Sequence, residues 1–200
     1  MVQEQALHTF LLETDRDLFF GIEQGPATPW IDLCALLHLM RRYRPSRFLE
    51  VGTHQGHTAR VLAQRFPNTS IVTVDPGDQV PLEERPEVQA AEYLPQEQIG
   101  ELVSEAVNVR VLKRAFREID WGDSRFDMIF IDGNHFLPHV LEDSLLALRL
   151  LASPGVLVWH DYNHIPDVNL ALEQLPMCRH IRSLMGTWTA FYDTHHAGGP

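Results

Sequence analysis

Five short apolar runs recur between residues 47 and 160: 47–52, 70–75 (SIVTVD), 108–112 (NVRVL), 126–132 (FDMIFID) and 155–160 (GVLVWH). The fourth holds almost no polar residue. Strands this apolar are buried on both faces, and the amphipathic segments between them supply the cover, so the pattern predicts a parallel sheet. Helices are expected at 56–66, 95–106, 137–151 and from 167 to 175. Another precedes the first strand at 29–43, where Ile31, Leu33, Leu36, Leu37 and Met40 recur at helical spacing and Pro45 closes the segment. Residues 1–45 as a whole read as helical.

The end of the chain breaks this rhythm. Runs at 179–184 and 187–192 (TWTAFY) are separated by Met185 and Gly186 alone. A link that short forces an antiparallel hairpin, since a parallel crossover needs about a dozen residues or more. The expected fold is an open, Rossmann-like α/β sheet of seven strands, mostly parallel, with a reversed C-terminal strand and helices on both faces. Residues 1–45 are expected to form a helical extension that caps the domain or makes an oligomer contact, 46–193 the domain itself, and 194–200 a disordered tail holding His195 and His196.

With 16 basic and 27 acidic residues, the formal net charge is −11. A chain so acidic is repelled by nucleic acid and by anionic membrane surfaces, so neither is expected as a partner. Arg41, Arg42, Arg44 and Arg47 form a local basic group, read as the solvated end of a helix. Only Cys34 and Cys178 are present, far apart and outside any metal-ligand spacing, so no disulfide framework is expected. With no signal peptide and no long apolar run, a soluble cytoplasmic protein is predicted.

In an open sheet of this kind ligands bind beyond the carboxyl ends of the strands. The first such turn lies in FLEVGTHQGHTARVLA, residues 48–63. A dinucleotide loop would place glycines at 52, 54 and 57, where the backbone meets a pyrophosphate. The residues there are Gly52, His54 and His57, so a nicotinamide cofactor is disfavoured. The spacing acid-x-Gly-x-x-x-Gly is met instead by Glu50, Gly52 and Gly56. It resembles the first motif of the class I S-adenosylmethionine-dependent methyltransferases.

That resemblance implies that Glu50, Gly52, Thr53, His54, Gln55, Gly56 and Thr58 surround the amino-acid part of the cofactor, which carries no phosphate and tolerates side chains. It implies that Asp75, ending the second strand, grips both ribose hydroxyls, a task suited to the two acceptor oxygens of a carboxylate. Asp132 is assigned to the cofactor in the same way. One departure stands out: Lys113, Arg114 and Ala115 lie where many such enzymes carry an acid beside the adenine. The group reading the adenine amine is left open.

Six of the eleven histidines fall in three post-strand loops: His54 and His57, His135 and His139, His160 and His164. In a parallel sheet those loops share one edge. Asp132 and Asp161, at adjacent strand tips, repel each other unless a cation or proton lies between them. The motifs DGNH and HDYN resemble those of metal-assisted small-molecule O-methyltransferases of the catechol and antibiotic- or sugar-tailoring types, over about residues 46–165. The resemblance implies a divalent cation, Mg²⁺ or Mn²⁺, on Asp132 and Asp161, with His160 or Asn163 as further ligand. It also puts His135 at the position of a catalytic base; the alternative is a loop histidine orienting the next helix. His139 and His164 are read as supporting or surface residues.

The expected activity is therefore methyl transfer to a hydroxyl of a small molecule. A metal-independent or N-methylating enzyme, and a non-catalytic S-adenosylmethionine-binding protein, are the alternatives. The loop 76–94, with Trp30, Tyr93 and the N-terminal helices, is read as a lid or as a contact within a homo-oligomer.

Overall fold

A computed structural model describes residues 3–6, 16–19, 28–81 and 93–195. Along the chain run β1 (Gln3–Ala6), α1 (Arg16–Phe19), α2 (Trp30–Tyr43), β2 (Arg47–Val51), α3 (His57–Arg65), β3 (Ser70–Val74) and β4 (Val109–Leu112). There follow β5 (Phe126–Ile131), α4 (Leu137–Leu150), β6 (Leu151–Trp159), α5 (Pro166–Gln174), β7 (Arg182–Met185) and β8 (Ala190–Asp193). The eight strands among the described residues join one sheet in the order β1-β7-β8-β6-β5-β2-β3-β4. Pairing is parallel except at β8, which runs against both β6 and β7.

The predicted alternation is visible residue by residue. Phe48, Met128, Phe130, Val156 and Val158 enter one core layer with Leu36, Leu37 and Met40 of α2 and Leu62 of α3. Their neighbours Leu49, Ile129, Ile131, Leu157 and Trp159 enter the other, with Val140 and Ala147 of α4 and Ala171 and Leu172 of α5. Successive side chains on a strand point to opposite faces, so a strand covered on both sides is apolar throughout.

Four expectations need correction. The first 45 residues are not all helical, because Gln3–Ala6 pairs in parallel with β7 and adds an eighth strand at the sheet edge. The stretch 95–106 is a series of turns with one 3₁₀ turn at Glu101–Val103, broken by Gly100 in the left-handed region (φ 69°). The strands of the terminal hairpin start later than expected: a 3₁₀ turn at Cys178–His180 delays the first, and Thr187, folding back through its N–H and hydroxyl onto the Leu184 carbonyl, delays the second. Finally, the tail expected from 194 keeps its first residues on the sheet: Thr194 bonds to both backbone groups of Gly155. Most of the loop 76–94 lies outside the described residues, as do His196 and the residues after it.

Sheet order fixes where a ligand can lie. From β2 the chain builds outward through β3 and β4, then returns to the other side of β2 to lay down β5 and β6. The two directions part between β2 and β5, and the crevice opens there, over the carboxyl ends of the strands.

Candidate functional site

A cavity of about 710 Å³ occupies that crevice, within the size range of sites that enclose small ligands. Its lining follows sheet order: Asp161 and His160 after β6, Asp132 to His135 after β5, the turn after β2, Asp75 after β3, and Ala115 to Arg117 after β4.

The turn after β2 is fixed by backbone constraints. Gly52 sits at φ +102°, and a β-carbon there would meet the Asp132 carbonyl oxygen at 2.0 Å. Gly56, at φ +90°, would meet Val103 at 3.0 Å. Only glycine satisfies both demands at once. His54 takes a left-handed conformation too (φ 48°), and its N–H donates to Asp75 Oδ2 at 2.7 Å. The Gly77 N–H donates to Oδ1 at 2.7 Å. Both oxygens of Asp75 are thus oriented by amides, and each keeps a lone pair for a second donor. The 95–106 segment braces the turn from outside, through Gly100 N–H to His54 O and Leu102 N–H to Gln55 O.

Of the residues assigned to this turn by resemblance, Gly52, Thr53, His54, Gln55 and Thr58 line the cavity, and Glu50 and Gly56 do not. Glu50 lies beneath the floor, 1% exposed. The Thr73 hydroxyl donates to it, so the Thr53 hydroxyl, 2.6 Å from that of Thr73, must donate in turn. Burial pushes the Glu50 carboxyl up to about 8; the Thr73 bond opposes this, and the charges of Asp132 and Asp75 reinforce it.

At the other end, side chains from two loops converge. His135 Nε2 lies 2.8 Å from Asp161 Oδ2. His160 Nδ1 lies 3.0 Å from Asp132 Oδ1 and 3.1 Å from Asp161 Oδ2. Burial opposes charge on His160, but the charge of Asp132 and contacts with Asp132, Asp161 and Asp32 outweigh it and hold the imidazole well above its usual value. Burial would likewise raise Asp161, yet His135 and His160 keep it well below the usual carboxylate range. Asp161 adopts φ 60°, where its carbonyl accepts from the N–H groups of His164 and Ile165 and turns the chain into α5.

Asp132, His135 and Asp161 each offer a ligand atom within 4.8 Å of the others. Neighbouring ligands of an ion bound at about 2.1 Å stand about 3 Å apart; the His135–Asp161 pair, at 2.8 Å, has that spacing, and two carboxylates with an imidazole are a donor set that suits a small divalent cation. His160 reaches the same two carboxylates. Asn163 does not: it is exposed, its N–H is held by Asn169 Oδ1 at 2.8 Å, and it does not line the cavity. The third member of the group is instead His135, which the sequence had suggested as a base.

Several lining residues escaped the sequence reading. Thr28 Oγ1 donates to Asp132 Oδ2 at 3.4 Å. Trp188, from the β7–β8 turn, is stacked under His164 with centroids 3.7 Å apart and planes 5° apart. Trp188 is anchored by its N–H on Asp32 Oδ1 at 2.7 Å. Nothing in a linear pattern brings a residue of α2 to one of the final hairpin. Asp143 could have been found, since it follows His139 by one helical turn and shares its face.

The model of a methyltransferase-domain family matches residues 49–162. No curated protein matches the chain in sequence. Among solved structures, the chain is similar to the O-methyltransferase TomG from Streptomyces achromogenes, which is involved in tomaymycin synthesis and was crystallised with S-adenosylmethionine. Identity is 18%, coverage 92% of this chain and 100% of that one, and the TM-score 0.56. The O-methyltransferase NovP is similar at 11% identity over 74% of this chain and 71% of its own, with a TM-score of 0.55. The Podospora anserina methyltransferase PaMTH1, bound to S-adenosylhomocysteine, is similar at 14% identity over 90% and 87%, with a TM-score of 0.53. These likenesses are of fold.

Proposed function

The chain belongs to this methyltransferase-domain family, and on that premise we propose that it transfers the methyl group of S-adenosylmethionine to a hydroxyl of a small molecule. One observation carries the reading. A single cavity has the amide-oriented carboxylate of Asp75 towards one end and the Asp132–His135–Asp161 group at the other. A nucleoside whose ribose rests on Asp75 points its sulfonium across the Gly52 turn towards that group.

Methyl transfer is a displacement at a sulfonium carbon, and an alcohol attacks poorly until its proton is drawn away. Asp132, His135 and Asp161 would hold Mg²⁺ or Mn²⁺, which when bound lowers the pKa of a hydroxyl and orients it. Asp132 is steadied by Thr28, and Trp188 and His164 line the acceptor side. A second reading needs no cation. His135, paired to Asp161 at 2.8 Å, takes the proton through its other nitrogen, and a charged His160 balances the two carboxylates.

Methyl transfer from labelled S-adenosylmethionine to a panel of hydroxylated small molecules, before and after dialysis against EDTA, tests both. Loss of transfer on dialysis and recovery with Mn²⁺ supports the metal-assisted route; transfer undiminished after dialysis leaves the His135 route. Failure of the protein to bind S-adenosylhomocysteine at millimolar concentration ends both.

A further inference from the structure

The far end of the cavity, beyond Asp75, is built from the 3₁₀ turn Phe116–Glu118 and the facing side of α4. Ala115, Phe116, Arg117, His139 and Asp143 line it. Arg117 donates to His139 Nδ1 at 3.2 Å and to Glu142 Oε2 at 3.4 Å, so this guanidinium is drawn towards the outer face of α4. Asp143 is half-buried, and among the described residues no hydrogen bond reaches its carboxyl. The burial of this acid and the charge of Glu142 push it up to about 7, with Arg117 pulling the other way.

Direction along the cavity says what meets this wall. If the reacting sulfonium faces the Asp132–His135–Asp161 group and the ribose rests on Asp75, the base must extend past Asp75 towards β4. Adenine offers an amine that donates and a neighbouring ring nitrogen that accepts. Phe116 and Ala115 supply an apolar face. Arg117 can only donate, and His139 Nδ1 is already engaged. Among the described residues, Asp143 is the side chain at this end that accepts and has no other hydrogen bond.

Resting on the S-adenosylmethionine reading, we infer that Asp143, projecting from α4 opposite Phe116 and Arg117, accepts the adenine 6-amine and supplies the base recognition that Lys113, Arg114 and Ala115 do not. A carboxyl that holds its proton near neutrality also has a hydrogen to offer the adjacent ring nitrogen.

Calorimetric titration with S-adenosylhomocysteine, and with its analogue bearing hydrogen in place of the 6-amine, tests the assignment. The wild-type protein is expected to prefer the amine by on the order of 10–100-fold, the range of one hydrogen bond to a charged or strongly polar group. Asp143→Leu, or the smaller Asp143→Ala where the first does not fold, is expected to bring that preference to within about threefold. Equal binding of the two nucleosides by the wild-type protein overturns the assignment without any variant. An unchanged preference in either folded variant overturns it too. Failure of the wild-type protein to bind either compound overturns the S-adenosylmethionine reading itself, a result distinct from the other two.

Discussion

The two ends of the cavity are built in different ways. At the Asp75 end the ligand-facing groups are fixed by the main chain: Gly52 has no room for a β-carbon beside the Asp132 carbonyl, and two amides aim the Asp75 carboxylate. At the Asp161 end the geometry comes from side chains of two loops, supported by Thr28 and by a hairpin turn anchored on Asp32. A main-chain site is defined by a few residues at set spacing. A side-chain site depends on groups that meet only when distant elements pack. If, as proposed, the first binds the cofactor and the second drives the reaction, substitutions at the two ends should separate affinity from rate.

The largest effect is expected from His135→Ala. Whether His135 holds a cation or takes the proton, its loss should lower kcat by roughly 10²–10⁴-fold. S-adenosylhomocysteine affinity should stay within about threefold, because no cofactor contact is removed. Single-turnover methyl transfer alongside calorimetry measures both. An equal loss in the two would mean that the ends are not separable.

Asp75→Ala is expected to do the converse. Losing a charged acceptor shared by two ribose hydroxyls should weaken cofactor binding by about 10–100-fold, with kcat at saturating cofactor nearly unchanged. A variant that binds S-adenosylhomocysteine as tightly as the wild type would remove Asp75 from the site. Gly52→Ala should be harsher on folding than on chemistry, since a β-carbon 2.0 Å from a backbone oxygen requires the β2 and β5 termini to part. Thermal denaturation should show a loss of about 2 kcal/mol or more, and a Tm equal to the wild type's would contradict the close approach.

The same contrast decides what the sequence could disclose. The sheet was legible because Phe48 and Leu49, or Phe130 and Ile131, must go to opposite covered faces, which leaves both apolar. The Gly52 turn was legible because a main-chain constraint permits one residue type. Gln3–Ala6 was not, since a short edge strand of mostly polar residues has no burial pattern to betray it. The reactive end was legible only as a set of residue types. Asp132, His135 and Asp161 stood out at strand tips, but which of His135, His160 and Asn163 turns inward depends on the left-handed turn at Asp161 and the packing of Trp188. Asp32 and Thr28 have no local signal, because Trp188 and Asp132, which they meet at this site, lie more than 100 residues away in the chain.

The effect that bears least on turnover belongs to Glu50, beneath the boundary between the two ends. Its carboxyl titrates at about 8 in the folded chain against 4.5 for the free side chain. Between those values the folded protein holds a proton that the unfolded chain has released, so stability falls as pH rises through that window and levels off above about 8. Glu50→Gln keeps an acceptor for the Thr73 hydroxyl but cannot ionise. Against a pH 4 reference it should stay within about 1 kcal/mol of the wild type near pH 5 and exceed it by on the order of 4 kcal/mol at pH 9. A parallel pH dependence in the two proteins would show that Glu50 is not the group responsible. A cationic cofactor above the Thr53–Thr73–Glu50 hydroxyl chain favours the ionised acid, so binding S-adenosylmethionine near pH 7 should release a fraction of a proton. Calorimetry in two buffers of different ionisation enthalpy reads that fraction. The release should fall in Glu50→Gln and be unchanged in His135→Ala, which assigns Glu50's share of the proton to the binding end of the cavity rather than to the reactive one.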